Sequence, residues 1–393
     1  MAMKVVLAPN AFKDCLSASA AARAMRSGLA DFTDAAEGVT LLEKPIADGG
    51  DGLLEIIREV MGGEERSLEV TGPNFSPVTC SYLYLPEKAT AVVEMARASG
   101  LALLPPEERN PTLTTSRGTG EVARQAIAAG ARHLVIGLGG SATTDAGCGF
   151  AAAFGVRFLD RQGVELSPIG GNLGKIARIE LGELRQLCQD ITFEAICDVD
   201  NPLLGERGAA AVFGPQKGAT PLQVDELEKG LAHWAGLVVE ELGVSVASLP
   251  GAGAAGGLGA GLAAFFSARL RPGVEVVLDL VGLDAALRGA DLVFTGEGRL
   301  DGQTAGGKGP AGVVKRAALA GVPCIAIAGE VTGDLAELRR LGLSAAFSLC
   351  SGPISLQVAK EQAENLLARA TREAFLAFLA GRGVKPFREP GRQ

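Results

Sequence analysis

Within the first sixty residues, a short apolar run stops at a polar loop and gives way to a helical pattern, and this happens twice. "KVVLAP" (residues 4–9) is rich in β-branched side chains, and "SASAAARAMRSGLA" follows it with Ser17 placed as an N-cap and Gly28 near the stop. "VTLLEKPIADGGDG" repeats the order: a strand through Leu42, a loop bearing Asp48, Gly49, Gly50 and Asp51, then a helix over "LLEIIREVMGG". A helix that follows each strand carries the chain back across the sheet, so successive strands lie parallel. The pattern therefore predicts a doubly wound parallel sheet.

The same rhythm returns near the other end. "ADLVFTG", "PCIAIAG" and "AAFSLCSG" are strand patterns separated by helical stretches such as "AGVVKRAALAG" and "TGDLAELRRLG". The middle differs, because "ERSLEVTGPNFSPVTCSYLYLP" alternates and is broken by Gly72, Pro73 and Pro77, as an antiparallel hairpin would be. At 393 residues the chain exceeds one ordinary core, and two domains is the economical count. The expected fold class is α/β: a Rossmann/flavodoxin-like doubly wound parallel-sheet domain from residues 1–64 plus 285–393, with a second α/β domain inserted at 65–284. Ligands in such folds sit beyond the carboxyl ends of the strands, and a cleft between two domains suits closure around a substrate.

Composition narrows the function classes. A formal charge of −8 leaves no overall basic field for nucleic acid or an anionic membrane, so neither is an expected partner. Seven scattered cysteines with no C-x-x-C pair suit reduced thiols. With only His133 and His233, a zinc site or a Ser-His-Asp triad has little to draw on, and both histidines read as structural. No signal peptide and no membrane-spanning run is visible, so a cytoplasmic protein is expected, with a homo-oligomer compatible with the sequence.

Three central strand patterns, "TAVVEMARASG", "HLVIGLGGSATTDAG" and "FEAICDVDNPL", each empty into a loop of glycine, hydroxyl or carboxylate residues. Together they look like one shared site. "GLGGSATTDAG" holds Ser141, Thr143, Thr144 and Asp145 between glycines, a loop suited to donating hydrogen bonds to anionic oxygens, and "CDVDNP" adds Asp198, Asp200 and Asn201. Lys217 in "GPQKGA" and Lys13 after the first strand are placed like anion ligands.

"TGEGRLDGQTAGGKGP" gathers Gly296, Glu297, Arg299, Asp301, Gly307 and Lys308. Arg299 offers a bidentate fork for a carboxylate or phosphate, and the acids suit magnesium, which takes one or two carboxylates plus substrate oxygens. Its end nearly spells a Walker loop, but Gly309 stands where the metal-binding hydroxyl should be, and an acidic loop is expected between it and the strand ending near Thr295. Lys308 and bare glycine amides ahead of a helix make an anion cradle by another geometry. "GAGAAG" (residues 251–256) matches the dinucleotide fingerprint with Glu275 downstream, which keeps an NAD-dependent oxidoreductase of a small hydroxy acid as the alternative; tight helix packing or phosphate contact accounts for the same glycines. The parts together describe phosphoryl transfer.

Eight segments in order, "APNAFKDCLSA", "PIADGGDG", "GTGE", "GLGGSATTDAG", "CDVDNPL", "FGPQKGA", "PGAGAAGGLGA" and "TGEGRLDGQTAGGKGP", resemble the bacterial glycerate kinases of the first type over nearly the whole chain. The resemblance implies ATP- and magnesium-dependent phosphorylation of D-glycerate to 2-phosphoglycerate in the cleft of a two-domain α/β enzyme. It differs at Asp14 and Cys15, where the family often has glycine and serine, and at Leu53, where a hydroxyl is usual. On this reading Asp198 orients or deprotonates the hydroxyl, and Arg299 and amides near Ser141 hold the carboxylate. Lys13, Lys217 and Lys308 meet phosphates, with Gly49, Gly50, Thr143, Asn201, Gly296 and Gly307 lining the substrate and phosphate sites. Asp48, Glu297 and Asp301 hold magnesium or its water.

Overall fold

The computed structural model describes residues 3–13, 15–33, 38–47, 53–302, 304–306 and 309–384. Its strands are β1 Met3–Pro9, β2 Val39–Glu43, β3 Glu64–Thr71, β4 Pro77–Leu85, β5 Thr90–Glu94, β6 His133–Gly137 and β7 Arg157–Leu159. They continue with β8 Arg178–Glu180, β9 Thr192–Ile196, β10 Arg269–Arg271, β11 Leu292–Leu300, β12 Cys324–Val331 and β13 Leu343–Ser348. The chain forms two compact units, Met1–Asp48 with Val274–Gln393, and Gly49–Gly273.

In the first unit, the sheet order is β13-β12-β11-β1-β2 and every neighbouring pair is parallel. Helices on a parallel sheet cover both faces, which is why β1 is an unbroken apolar run with Val5 to Ala8 fully buried. From β1 the chain moves outward to β2 on one side, then returns to build β11, β12 and β13 on the other. The order thus reverses between β1 and β11, the kind of position at which doubly wound sheets take their ligands.

Ser17 caps the helix Ala18–Gly28, its Oγ accepting the Ala20 amide. That helix meets Ala363–Gly381 closely: a Cβ on Gly28 would lie 2.1 Å from the Ala368 carbonyl oxygen. Phe32 sets its ring edge-on to Phe375 at 5.0 Å in the same core.

The second unit carries a sheet of order β10-β9-β6-β5-β4-β3. β10, β9, β6 and β5 run parallel, and β4 and β3 complete it antiparallel, as their alternation predicts. Its core is aromatic where the helices Cys148–Ala153 and Ala254–Phe266 meet the sheet, with Phe150, Phe154, Phe193 and Phe266 in mutual ring contact.

The unit boundaries fall at 48/49 and 273/274, whereas the sequence patterns suggest 64/65 and 284/285. Polar contacts account for both shifts. The Leu53 amide at the start of the helix Leu53–Met61 donates to Glu94 Oε1 at 2.8 Å, and Glu55 pairs with Arg97, so that helix joins the second unit. Arg316 bonds Glu275, Asp279 and Asp284, tying the helices Gly273–Leu280 and Leu283–Leu287 to Gly309–Leu319.

Phe150 is fully buried against Phe154 and Phe266. Phe150→Ala should cost about 3–5 kcal/mol, read as a lowered urea midpoint of the transition reported by Trp234 fluorescence.

Candidate functional site

β5, β6 and β9 are parallel neighbours with Glu94 beside Gly137 and Gly137 beside Ile196, so their carboxyl ends reach one edge of the sheet together. A cavity of about 650 Å³ opens there, wholly within the second unit. Glu94 and Arg97 line it after β5, Gly137 to Ser141 after β6, and Cys197 to Val199 after β9. Lys217 and Ala254–Ala255 close it, with Leu53, Leu101, Leu138, Ile196 and Phe213 supplying apolar surface.

The loop after β6 is held from below. Asp145 is fully buried, and its carboxylate accepts from the Ser116 amide at 2.7 Å, the Ser116 hydroxyl at 2.8 Å, and the amides of Gly147 and Gly149 at 3.2 Å. Burial pushes its pKa up and these four donors pull it back. The sequence presents the loop holding Thr143, Thr144 and Asp145 as a ligand loop; the structure buries all three side chains. Thr143 Oγ1 and Thr144 Oγ1 are buried with no hydrogen-bond partner among the described residues.

Lys217 sits against this loop with 2% of its surface exposed. Its Nζ donates to the Thr143 carbonyl at 2.6 Å, and burial pushes its pKa down to about 7, opposed only by the field of Asp145. Ser141 stands on the cavity wall. Asp198 is exposed there too, with Oδ1 accepting the Gly273 amide at 2.8 Å. Asn201 is not part of the wall: its Nδ2 donates to the Arg207 carbonyl at 2.7 Å and fixes the loop that follows β9.

Arg97, which the sequence reading omits, donates to Glu94 Oε2 at 2.7 Å and pairs with Glu55. Its signal was weak, since "EMARAS" resembles any short helix start.

The first unit gathers the other candidates at the reversal between β1 and β11. Lys13 lies exposed just after β1, and Gly296 pairs with Pro9 across the two strands. β11 runs to Leu300 because β12 continues beside it, with Arg299 opposite Glu330 and Leu300 opposite Val331. "GEGRL" is therefore strand, where an acidic loop after Thr295 is the sequence expectation. On a strand, Glu297 and Arg299 share one face. Thr304 Oγ1 donates to Glu297 Oε1 at 2.8 Å and accepts the Asp301 amide at 3.3 Å, which links the two acids. Arg299 faces Asp301 at 3.2 Å and Glu330 at 3.8 Å while well exposed, so these pairs contribute little to stability. Asp48, Gly49, Gly50, Gly307 and Lys308 lie outside the described residues.

No group of three or more His, Cys, Asp or Glu is arranged to hold a metal among the described residues. Thr304 meets Glu297 through its carboxylate but Asp301 only through its backbone amide, and the Asp301 carboxylate faces Arg299 instead.

"GAGAAG" follows a turn rather than a strand. A Cβ on Gly256, at φ +65, would lie 1.9 Å from the Thr143 carbonyl oxygen, and one on Gly253 would lie 2.2 Å from that of Pro202. These glycines admit protein backbone, so the run serves packing. The histidines are structural: His133 Nε2 meets Glu194 at 3.2 Å, and His233 Nε2 donates to the Ile176 carbonyl at 2.6 Å. Among the described residues no helix is long and apolar enough to cross a membrane.

A family model for the glycerate kinase family matches residues 5–379. A glycerate kinase of Halalkalibacterium halodurans is 45% identical over 94% of this chain and 96% of its own length. A glycerate 2-kinase of Escherichia coli is 41% identical over 94% of this chain and 96% of its own. A crystal structure from Salmonella typhimurium, described as a glycerate kinase 2, superposes with a TM-score of 0.82 at 42% identity, covering 98% of this chain and all of the other.

The depressed pKa of Lys217 carries a stability consequence with a definite sign. Below pH 7 the folded chain bears the full cost of a buried ammonium. As pH rises from about 7 toward the unfolded value near 10.4, the unfolded chain holds the extra proton and folding becomes relatively more favourable. Lys217→Met should therefore be more stable than the parent protein at pH 7, with the gap narrowing toward pH 10 in paired urea titrations.

Proposed function

The chain belongs to the glycerate kinase family, and we propose that it transfers the γ-phosphoryl group of ATP to the 2-hydroxyl of D-glycerate, with magnesium, as a cytoplasmic enzyme. The observation that carries this reading is the second unit's cavity, which brings Ser141, Asp198 and Lys217 to one place at the carboxyl ends of three parallel strands. Ser141 and the glycine amides beside it are donors for a small anion, and Asp198 orients the hydroxyl that attacks. Arg299 receives a carboxylate, its ion pairs being exposed and therefore exchangeable.

Glu297 and Asp301, with Asp48, would hold magnesium, which supplies charge neutralisation of the phosphate oxygens when bound. Glu297 is suited to this because a strand and the Thr304 hydroxyl fix its direction. Lys13 and Lys308 meet the phosphates. Positioning and electrostatics are nearly all that phosphoryl transfer asks of a protein, and these groups provide both.

ADP release with purified protein, ATP and magnesium tests the reading. D-Glycerate should drive strong turnover while L-glycerate and glycerol do not, and phosphorus NMR should show 2-phosphoglycerate. Silence with D-glycerate, or a 3-phosphorylated product, would overturn it. Asp198→Asn should lower kcat by about tenfold or more with a smaller change in the KM for ATP; turnover within about threefold of the parent would remove Asp198 from the reaction.

A further inference from the structure

We infer that Lys217 is the group that accepts the proton of the substrate hydroxyl, acting as a neutral amine on the cavity wall rather than as a cation that holds phosphate. This rests on the reading that a hydroxy acid is phosphorylated in that cavity.

Three features of the site favour the amine form. Lys217 is nearly fully buried and still contributes to the cavity lining, so the residue borders the ligand space while shielded from bulk water. Its hydrogen-bond partner is the Thr143 carbonyl, a neutral acceptor, and no carboxylate pairs with it among the described residues. The nearest compensating charge, Asp145, is already saturated by donors from Ser116, Gly147 and Gly149. A buried ammonium so placed is poorly solvated, and losing its proton relieves that cost. The remaining titratable groups on the wall do not replace the missing counter-ion: Arg97 is bound to Glu94 and Glu55, Cys197 Sγ faces the Val199 carbonyl, and Asp198 is exposed.

The amine is also held in place, as a base must be. Lys217 ends the short turn Pro215–Lys217, and Gly218 follows at φ +91, where a Cβ would lie 2.2 Å from the Arg109 carbonyl oxygen. Thr143 accepts one N–H of the neutral amine and leaves the nitrogen lone pair for an incoming proton. Its pKa of about 7 is matched to proton transfer at neutral pH, as an ordinary lysine's is not.

In the step proposed, the Lys217 lone pair takes the hydroxyl proton as the hydroxyl oxygen forms a bond to the γ-phosphorus of the nucleoside triphosphate. The bond from that phosphorus to its bridging oxygen breaks, its electron pair leaving with the nucleoside diphosphate. The ammonium then returns its proton to solvent. Asp198, oriented by the Gly273 amide, aligns the hydroxyl without having to hold the proton.

Lys217→Arg decides between base and cation, because a guanidinium keeps the positive charge and does not give up its proton. As a base, Lys217 should lose about 10²-fold or more in kcat on change to Arg or to Ala. Added primary amines should then rescue Lys217→Ala in proportion to their basicity, and the acid limb of kcat/KM near pH 7 should vanish. If Lys217→Arg keeps activity within about threefold of the parent, or the Ala variant's defect lies in the KM for ATP, the inference fails and Lys217 holds phosphate.

A second measurement is independent of turnover. The Lys217 ¹³Cε resonance of the parent protein, assigned by its absence from Lys217→Arg, should titrate near pH 7. An amine that stays protonated through pH 9 overturns the inference even if the kinetics agree. Should the parent protein leave D-glycerate untouched, the substrate reading fails by itself, while the resonance still decides the state of the amine.

Discussion

A single buried carboxylate organises the cavity. Asp145 draws onto itself the amide and hydroxyl of Ser116, before the helix Arg117–Ala128, and the amides of Gly147 and Gly149, which open the helix Cys148–Ala153. Ser116 in turn accepts the Phe150 amide through its hydroxyl, so two helix starts and one strand exit share a single polar knot. Leaving a carboxylate in a dry interior is costly unless its lone pairs are met, and here they are. The stretch from Gly137 to Ser141 can then lie open on the cavity wall, because the residues just after it are anchored. A glycine-rich loop without that anchor would have the conformational freedom to collapse into the cavity it lines.

The same knot sets the environment of Lys217. Its partner Thr143 lies two residues from Asp145, and the carboxylate is close enough to be felt but too fully engaged to neutralise an ammonium. A chain optimised for stability alone would place an apolar side chain here, since a buried, unpaired amine opposes folding. That such a group borders a cavity, and that it faces a backbone carbonyl instead of an acid, is the pattern of a site where stability is surrendered for chemistry.

Much of this was legible in the sequence. Apolar runs ending in polar loops identified β1, β2, β5, β6, β9, β11 and β12, and the alternation around Gly72 and Pro77 separated the antiparallel pair β3 and β4 from the parallel strands. Parallel order brings like ends together, which is why three loops far apart in sequence could be read as one site. What periodicity does not carry is direction. Thr143, Thr144 and Asp145 have the composition of a ligand loop, yet all three are buried: protein donors claim the Asp145 carboxylate, while the two threonine hydroxyls meet no partner among the described residues, and sequence composition carries neither outcome. Asn201 likewise directs its side-chain amide to a protein group, the Arg207 carbonyl, a pairing that composition does not reveal. β11 was drawn short because Gly296 and Gly298 look like loop residues; pairing with β12 outweighs their weak strand preference, and a Cβ on Gly296 would meet the Ile327 carbonyl oxygen at 2.0 Å.

That last correction changes how the first unit's acids should be understood. Carboxylates on a loop can be drawn toward a cation by rearranging the backbone, so their selectivity is poor. Glu297 on a paired strand, with its carboxylate fixed by Thr304, has little such freedom. A small hard cation that keeps most of its water and demands regular geometry is served by one or two fixed oxygens, whereas calcium needs many and tolerates movement. Strand rather than loop at Glu297 thus gives its carboxylate a fixed direction, which suits the magnesium proposed above better than it would suit calcium.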